Sequence, residues 1–189
     1  MSKDYASLPP TQVRRSDRAI TDEQWLTDFV QRAAVGTFAT EHNGQPFINS
    51  NLFVYSAERH AIYFHTANVG RTKANVEHNP KVCFTVFSMG RLLPAPEALE
   101  FSVEYQSVVA FGTVQVVADA SEAEYGLQLL MDKYAPHLRP DRDYRPIQLE
   151  EIRRTGVFRM DITEWVGKRK KVADDFPMAF WYSPADLNS

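Results

Sequence analysis

Two β-rich runs, 36–41 and 47–55, flank the dipeptide formed by Asn43 and Gly44, and this junction constrains the fold more than any other feature of the chain. Both residue types accept the positive φ that a two-residue type I′ turn demands, so the flanking runs should pair as an antiparallel hairpin. The pattern recurs downstream. A turn at 56–60 leads into 61–67, where Ile62 and Phe64 alternate with Tyr63 and His65. The run KVCFTVFS (81–88) reads as a buried strand, 103–118 as a long strand bent near Gly112, and 156–165 as the last strand. That makes about six strands, joined mostly by hairpins. Antiparallel pairs of this kind lose their exposed edges by closing into a barrel. Strands and helices do not alternate regularly and no G-x-G-x-x-G is present, which argues against a doubly wound dinucleotide-binding sheet. The expected class is mainly β (α+β), with helices at intervals.

Those helices have recognisable starts and stops. Thr21 and Gln24 form a capping-box pattern before Trp25, Phe29 and Ala33, which share a face with Leu26 and Val30. A helix over 70–78 ends at Asn79, because the residue before Pro80 disfavours the α region. Ser121 and Glu124 suit the start of a helix over 121–135, and a brief helix fits 148–153. Prolines at 94 and 96 suggest that 89–102 is a loop, and Pro136, Pro140 and Pro146 do the same for 136–146. A chain of 189 residues is one domain's worth. Residues 1–20 read as a polar arm bearing Arg14, Arg15 and Arg18 and lying on the surface or on a partner subunit, 21–172 as the folded domain, and 173–189 as a tail carrying Phe176, Phe180, Trp181 and Tyr182.

Composition removes several function classes. A net charge of −3 disfavours a nucleic-acid binder. Cys83 is the sole cysteine, so no intrachain disulfide or cysteine-cluster metal site can form. The five histidines lack metal-ligand spacing, and there is no G-x-S-x-G elbow. No apolar run reaches the ~20 residues of a membrane span. The first 18 residues lack a secretory h-region, so a cytoplasmic protein is expected.

The densest polar cluster is HTANVGRTK, from His65 to Lys73. It follows a strand and opens a helix, whose unpaired N–H groups and partial positive charge suit a phosphate. Gly70 permits close backbone approach, Arg71 can grip oxygens in a fork, and Lys73 adds a point charge. The plainer reading is a capped surface helix with solvated cations. Asn49, Ser50 and Asn51 interrupt an apolar strand, so by period two at least one faces inward and needs a partner, either a ligand edge or a neighbouring backbone group. His65 is the candidate general acid or stacking group of its strand, with a simply hydrogen-bonded histidine as the plainer reading, and Lys168 to Lys171 form a basic segment after the last strand.

The stretch IYFHTANVGRTKANVEHNPKVCFTV resembles the flavin-binding split-barrel superfamily that includes pyridoxamine 5′-phosphate oxidase, and within it the nitroimidazole-resistance protein family. VRRSDRAIT, VGTFAT, PFINSNLFVY, YQSVVAFGTVQVV and VGKRKKV follow in that family's order, over roughly residues 13–172. The resemblance implies a six-stranded antiparallel split barrel, a homodimer, and FMN at the subunit interface. By position, Asn49, Ser50, Asn51 and Leu52 would line the isoalloxazine, with His65 and Thr66 beside the ring and ribityl chain. Gly70, Arg71 and Lys73 would take the phosphate, Gln106 and Ser107 would approach from the neighbouring strand or subunit, and Lys168 and Arg169, late in the chain, would reach the flavin or its phosphate. NSNLF stands where the B6 oxidase carries basic residues, which argues against vitamin B6 chemistry. The implied activity is an FMN-dependent oxidoreductase taking electrons from a reduced nicotinamide to a small aromatic acceptor. A flavin- or haem-binding protein without turnover is the alternative. The aromatic tail suggests an interface, and 89–102 a cover for the flavin or dimer packing.

Overall fold

A computed structural model of the chain describes residues 4–183; the outermost ends of the expected arm and tail, 1–3 and 184–189, lie outside the described residues. The strands are β1 (Ala19–Ile20), β2 (Gly36–His42), β3 (Gln45–Asn51), β4 (Phe53–Ser56), β5 (Ala61–Ala67), β6 (Lys81–Leu93), β7 (Ser102–Val116) and β8 (Thr155–Lys170). They form one sheet in the order β3-β2-β6-β7-β8-β5-β4, with β1 paired to β8. Every pairing is antiparallel. The sheet has eight strands rather than six, because the arm contributes β1 and the run 47–55 is two strands.

That second difference makes the barrel split. Asn51 ends β3 opposite Gly36, while Phe53 opens β4 opposite Phe64. The two ends of the sheet are therefore joined through Leu52 and are not hydrogen-bonded to each other. Helix α3 (Ala120–Tyr134) packs on β4, β5 and β8, and its last two residues reach the break. The Tyr134 hydroxyl accepts from the Phe53 N–H at 3.0 Å and contacts the Ala34 and Phe53 carbonyls at 2.7 and 2.9 Å. The Lys133 ammonium donates to the carbonyls of Ala33 and Phe53 at 2.8 and 2.9 Å. Backbone groups left over at the break are thus paired, as buried ones must be.

The interior is aromatic. Phe38, Phe53, Phe64, Phe84 and Phe158, each from a different strand, are essentially inaccessible. Phe64 stacks between Phe38 and Phe158, at ring separations of 4.0 and 4.9 Å. Helix α1 (Glu23–Arg32) joins this core through Leu26, Phe29 and Val30. Its cap is Asp22, whose carboxylate accepts from the Trp25 N–H, not the expected Thr21 and Gln24 box. Asp119 likewise caps α3 in place of Ser121, which itself donates to Asp119. In both, an ionised oxygen in extended backbone outcompetes a neutral cap. The short α4 (Leu149–Arg154) carries a capping box formed by Gln148 and Glu151.

Two further expectations change. The loop expected at 89–102 shrinks to 94–101, because β6 runs to Leu93 with a register slip between Met89 and Leu92. Pro94 and Pro96 only mark where ladder donors run out. The last strand extends to Lys170, so Lys168 and Arg169 are strand residues rather than a trailing basic segment. The bend at Gly112 is a bulge against β8, where a Cβ would collide with the Asp161 carbonyl oxygen. The arm lies on its own barrel: Thr11 donates to Glu164 at 3.0 Å, and β1 pairs with Gly167 and Lys168. The tail also returns, with Leu92 and Phe180 exchanging backbone bonds of 2.7 and 3.1 Å. Among the described residues no helix is long and apolar enough to cross a membrane.

Candidate functional site

Strand alternation sorts the polar run of β3. Asn49 and Asn51 are half-buried on the inner side, whereas Ser50 and Leu52 are exposed on the outer face. The Asn49 amide donates to the Thr72 hydroxyl at 3.2 Å, and Ser50 shares a 3.0 Å bond with Thr37. Nδ2 of Asn51 is buried with no acceptor among the described residues. An unmet buried donor costs ~1–3 kcal/mol.

Thr72 belongs to the first turn of α2 (Arg71–His78), so the Asn49 bond brings β3 against a helix start. Gly70 precedes that turn at φ 139, a conformation natural to glycine, and supplies no side-chain cap. The first turn has no acidic residue but contains Arg71 and Lys73. Cations at a helix N-terminus oppose the macrodipole, whereas an anion there is stabilising by roughly 0.3–1 kcal/mol. Arg71 is exposed, and Lys73 is held by the carbonyl and side-chain oxygens of Asn68 at 3.3 and 3.1 Å, with Glu77 3.8 Å away. Asn75 anchors the helix by donating to the buried Thr40 hydroxyl at 2.9 Å. Asn68, Thr72 and Asn75 complete this site and were not among the expected contacts. The first two lie inside the HTANVGRTK cluster, which is the signal that could have found them.

Other expected contacts divide differently. Ile62 and Phe64 belong to the core, so His65, sharing Tyr63's parity, is exposed on the opposite face, and Thr66 follows the core side. The Thr66 hydroxyl donates to the Ala67 carbonyl at 2.9 Å. On the far strands, Gln106 pairs with Arg169 and Ser107 with Lys168. Paired residues share a face and neighbours alternate. Ser107 and Lys168 therefore lie on the outer face, while Gln106 and Arg169 lie on the other, at a cavity of about 260 Å³. No hydrogen bond among the described residues joins this second group to the β3–α2 group. Cys83 is half-buried, and burial pushes its thiol up, so it is no ready nucleophile.

The family model described as pyridoxamine 5′-phosphate oxidase matches residues 22–169. The chain belongs to this family. Its antiparallel sheet with flanking helices is the family's split barrel, as the resemblance implied. The flavocytochrome Anf3 of Azotobacter vinelandii shares 23% identity, covering 92% of this chain and 85% of its own, at a TM-score of 0.75. A FAD and haem binding protein of Mycobacterium smegmatis shares 20%, over 90% and 79% of the two chains, at 0.73. A candidate 5-nitroimidazole antibiotic resistance protein of Bacteroides thetaiotaomicron shares 19%, over 80% and 86%, at 0.67. At these identities the likeness concerns the fold. No curated protein matches the chain.

Proposed function

We propose that this member of the pyridoxamine 5′-phosphate oxidase family is an FMN-dependent oxidoreductase, its flavin held between β3 and the start of α2. The observation that carries the reading is the uncapped first turn of α2, opened by Gly70 and loaded with Arg71 and Lys73. Without an anion those cations sit against the helix dipole; with one, dipole, N–H groups and guanidinium act together. The residues fit the cofactor on a second count, because the unpaired Nδ2 of Asn51 can donate to a polar ring edge. Asn49 ties the ring side of the site to the phosphate side through Thr72. Ser107 and Lys168, paired on the outer sheet face, would on this reading meet the flavin of a second copy of the chain. The chemistry that bound FMN supplies is two-electron transfer, from a reduced nicotinamide donor to a small aromatic acceptor. This chain's part is to bind, orient and shield.

The visible absorption spectrum of the purified protein tests the reading. Flavin bands, present or restored by adding FMN, are expected. A colourless protein that FMN cannot restore would end it. The similarity to a flavocytochrome and to a FAD and haem binding protein favours one second reading, a flavin- or haem-binding protein without turnover. A Soret band, or bound flavin that no reduced nicotinamide bleaches, would decide for it.

A further inference from the structure

The cavity at the ends of β6, β7 and β8 is not used by the β3–α2 site. Its floor is an ion pair: Arg91 grips Glu104 in a fork, Nε and Nη2 each 2.9 Å from a carboxylate oxygen. The Val172 N–H, 2.9 Å from Oε1, completes the set. Glu104 therefore has no negative charge to spare for the cavity's remaining cations, Arg169, Lys170 and Lys171. Nε of Arg169 is buried and has no acceptor among the described residues. Lys170 donates to the Ser102 hydroxyl, and it is drawn below the usual lysine value by burial and then by Arg18 and Arg15 of the arm. The nearby carboxylates are partly committed elsewhere. Asp17 lies against Arg15 and Arg18, while Asp174, 3.8 Å from Lys171, points largely into solvent and Glu100 attracts Lys170 only at longer range. At the rim stands Trp181, its ring two-thirds exposed.

Cations short of an acceptor beside an exposed indole match two halves of one ligand: a phosphate for Arg169 and Lys171, and a planar base for Trp181. At about 260 Å³ the cavity is smaller than the ~300–1,000 Å³ that encloses a drug-sized ligand, so it takes one phosphate and part of a ring system. We propose that this cavity binds a nucleoside 5′-phosphate, with Arg169 on the phosphate and Trp181 on the base. On the functional reading above, on which this assignment of source rests, the ligand is the adenylate half of the reduced dinucleotide donor, and Arg169 serves the donor rather than the flavin. The adenylate half of FAD has the same chemistry.

Calorimetric titration of the full chain with AMP, and separately with inorganic phosphate, tests the cavity without requiring flavin. AMP should bind and phosphate should bind more weakly. Arg169→Gln should weaken AMP roughly ten- to hundredfold, the worth of one charge-assisted bond. Trp181→Ala should weaken AMP but leave inorganic phosphate unchanged. Failure of AMP to bind, or equal binding to wild type and Arg169→Gln, overturns the proposal. The source is read from the same variant: loss of affinity for the reduced dinucleotide with FAD and FMN unchanged supports the donor, whereas loss for FAD alone overturns that assignment. A colourless protein that still binds AMP through Arg169 would sink the flavin reading and leave this site standing.

Discussion

Arg71 and Lys73 share one helical turn, but their surroundings give them unequal roles. Arg71 stands exposed at the first position of α2, while Lys73 is tethered to Asn68 and shares its charge with Glu77 3.8 Å away. Replacing Arg71 by Ala should weaken FMN roughly ten- to hundredfold and riboflavin hardly at all, because a charge-assisted bond to phosphate is worth ~1.5–3 kcal/mol. Lys73→Ala should have the same selectivity and a smaller effect. Equal losses for both ligands in fluorescence titrations would show that the phosphate lies elsewhere. Lys133 illustrates a different residue-level constraint. Burial at the seam pulls its ammonium down to about 8 from 10.5, even though it bonds two carbonyls and lies 3.9 Å above the Phe53 ring. Between those two values the unfolded chain holds the proton more tightly than the folded one, so this residue makes stability rise with pH across that window. Chemical denaturation of wild type and Lys133→Met from pH 8 to 10 should show an upward slope in the first that is reduced in the second. Parallel slopes would mean that the lysine keeps an ordinary pKa.

Among the elements, the β6–β7 extension depends most on one contact. The Arg91–Glu104 pair crosses its two strands, and Arg91 also donates to the carbonyls of Asp174 and Ala173 at 2.8 and 3.0 Å, clamping the tail. The Arg91 guanidinium, with help from the Val172 N–H, holds the Glu104 carboxyl at about 2. A depressed carboxylate stabilises above its unfolded value near 4.5 and loses that contribution as pH falls toward 2. Glu104→Gln should therefore free the tail at neutral pH, speeding chymotryptic cleavage after Phe180 or Trp181, while wild type should be cut there readily only on acidification, where pepsin replaces chymotrypsin. Unchanged cleavage rates would remove the clamp. This element also shows what a sequence can and cannot reveal. The β2–β3 hairpin was legible because its cause is local: Asn43 and Gly44 do take φ of 52 and 79. The grouping of Gly70, Arg71 and Lys73 at one helix start was legible because they are contiguous in the chain. The break at Leu52 was not, since Phe53 beside it is held by Lys133 and Tyr134, 80 and 81 residues further on. Nor was the separation of Lys168 from Arg169, which appears only once both are known to be adjacent in a strand. The cavity beside Arg169 draws on three strands and the tail, and no window of sequence contains it.

For the molecule as a whole, the question is what covers the outer face of the sheet. Ile48 and Phe87 are 65% and 64% exposed there, with Val35, Leu52 and Met89 also open. The register continues this face through Ser50, Thr37, Thr85 and Val109 on four neighbouring strands. The five large side chains together expose on the order of 500 Å² of apolar surface, near the upper end of what the largest patch on a monomer shows. The tail gives a weaker argument for association, because Phe180 bridges to Leu92 of its own chain although its ring and that of Trp181 stay exposed. We expect a two-fold homodimer packed through the β3-β2-β6 face, which would also bring Ser107 and Lys168 of one copy toward the β3–α2 site of the other. Light scattering should give about twice 21.6 kDa, as two-fold closure requires. Phe87→Glu, which places a charge at the centre of that face, should yield monomers that lose FMN while their far-UV circular dichroism is retained. Deleting residues 176–189 should leave the dimer intact. A wild-type monomer with a full complement of FMN would show that one chain completes the site by itself, and a dimer unaffected by Phe87→Glu would move the interface to another face.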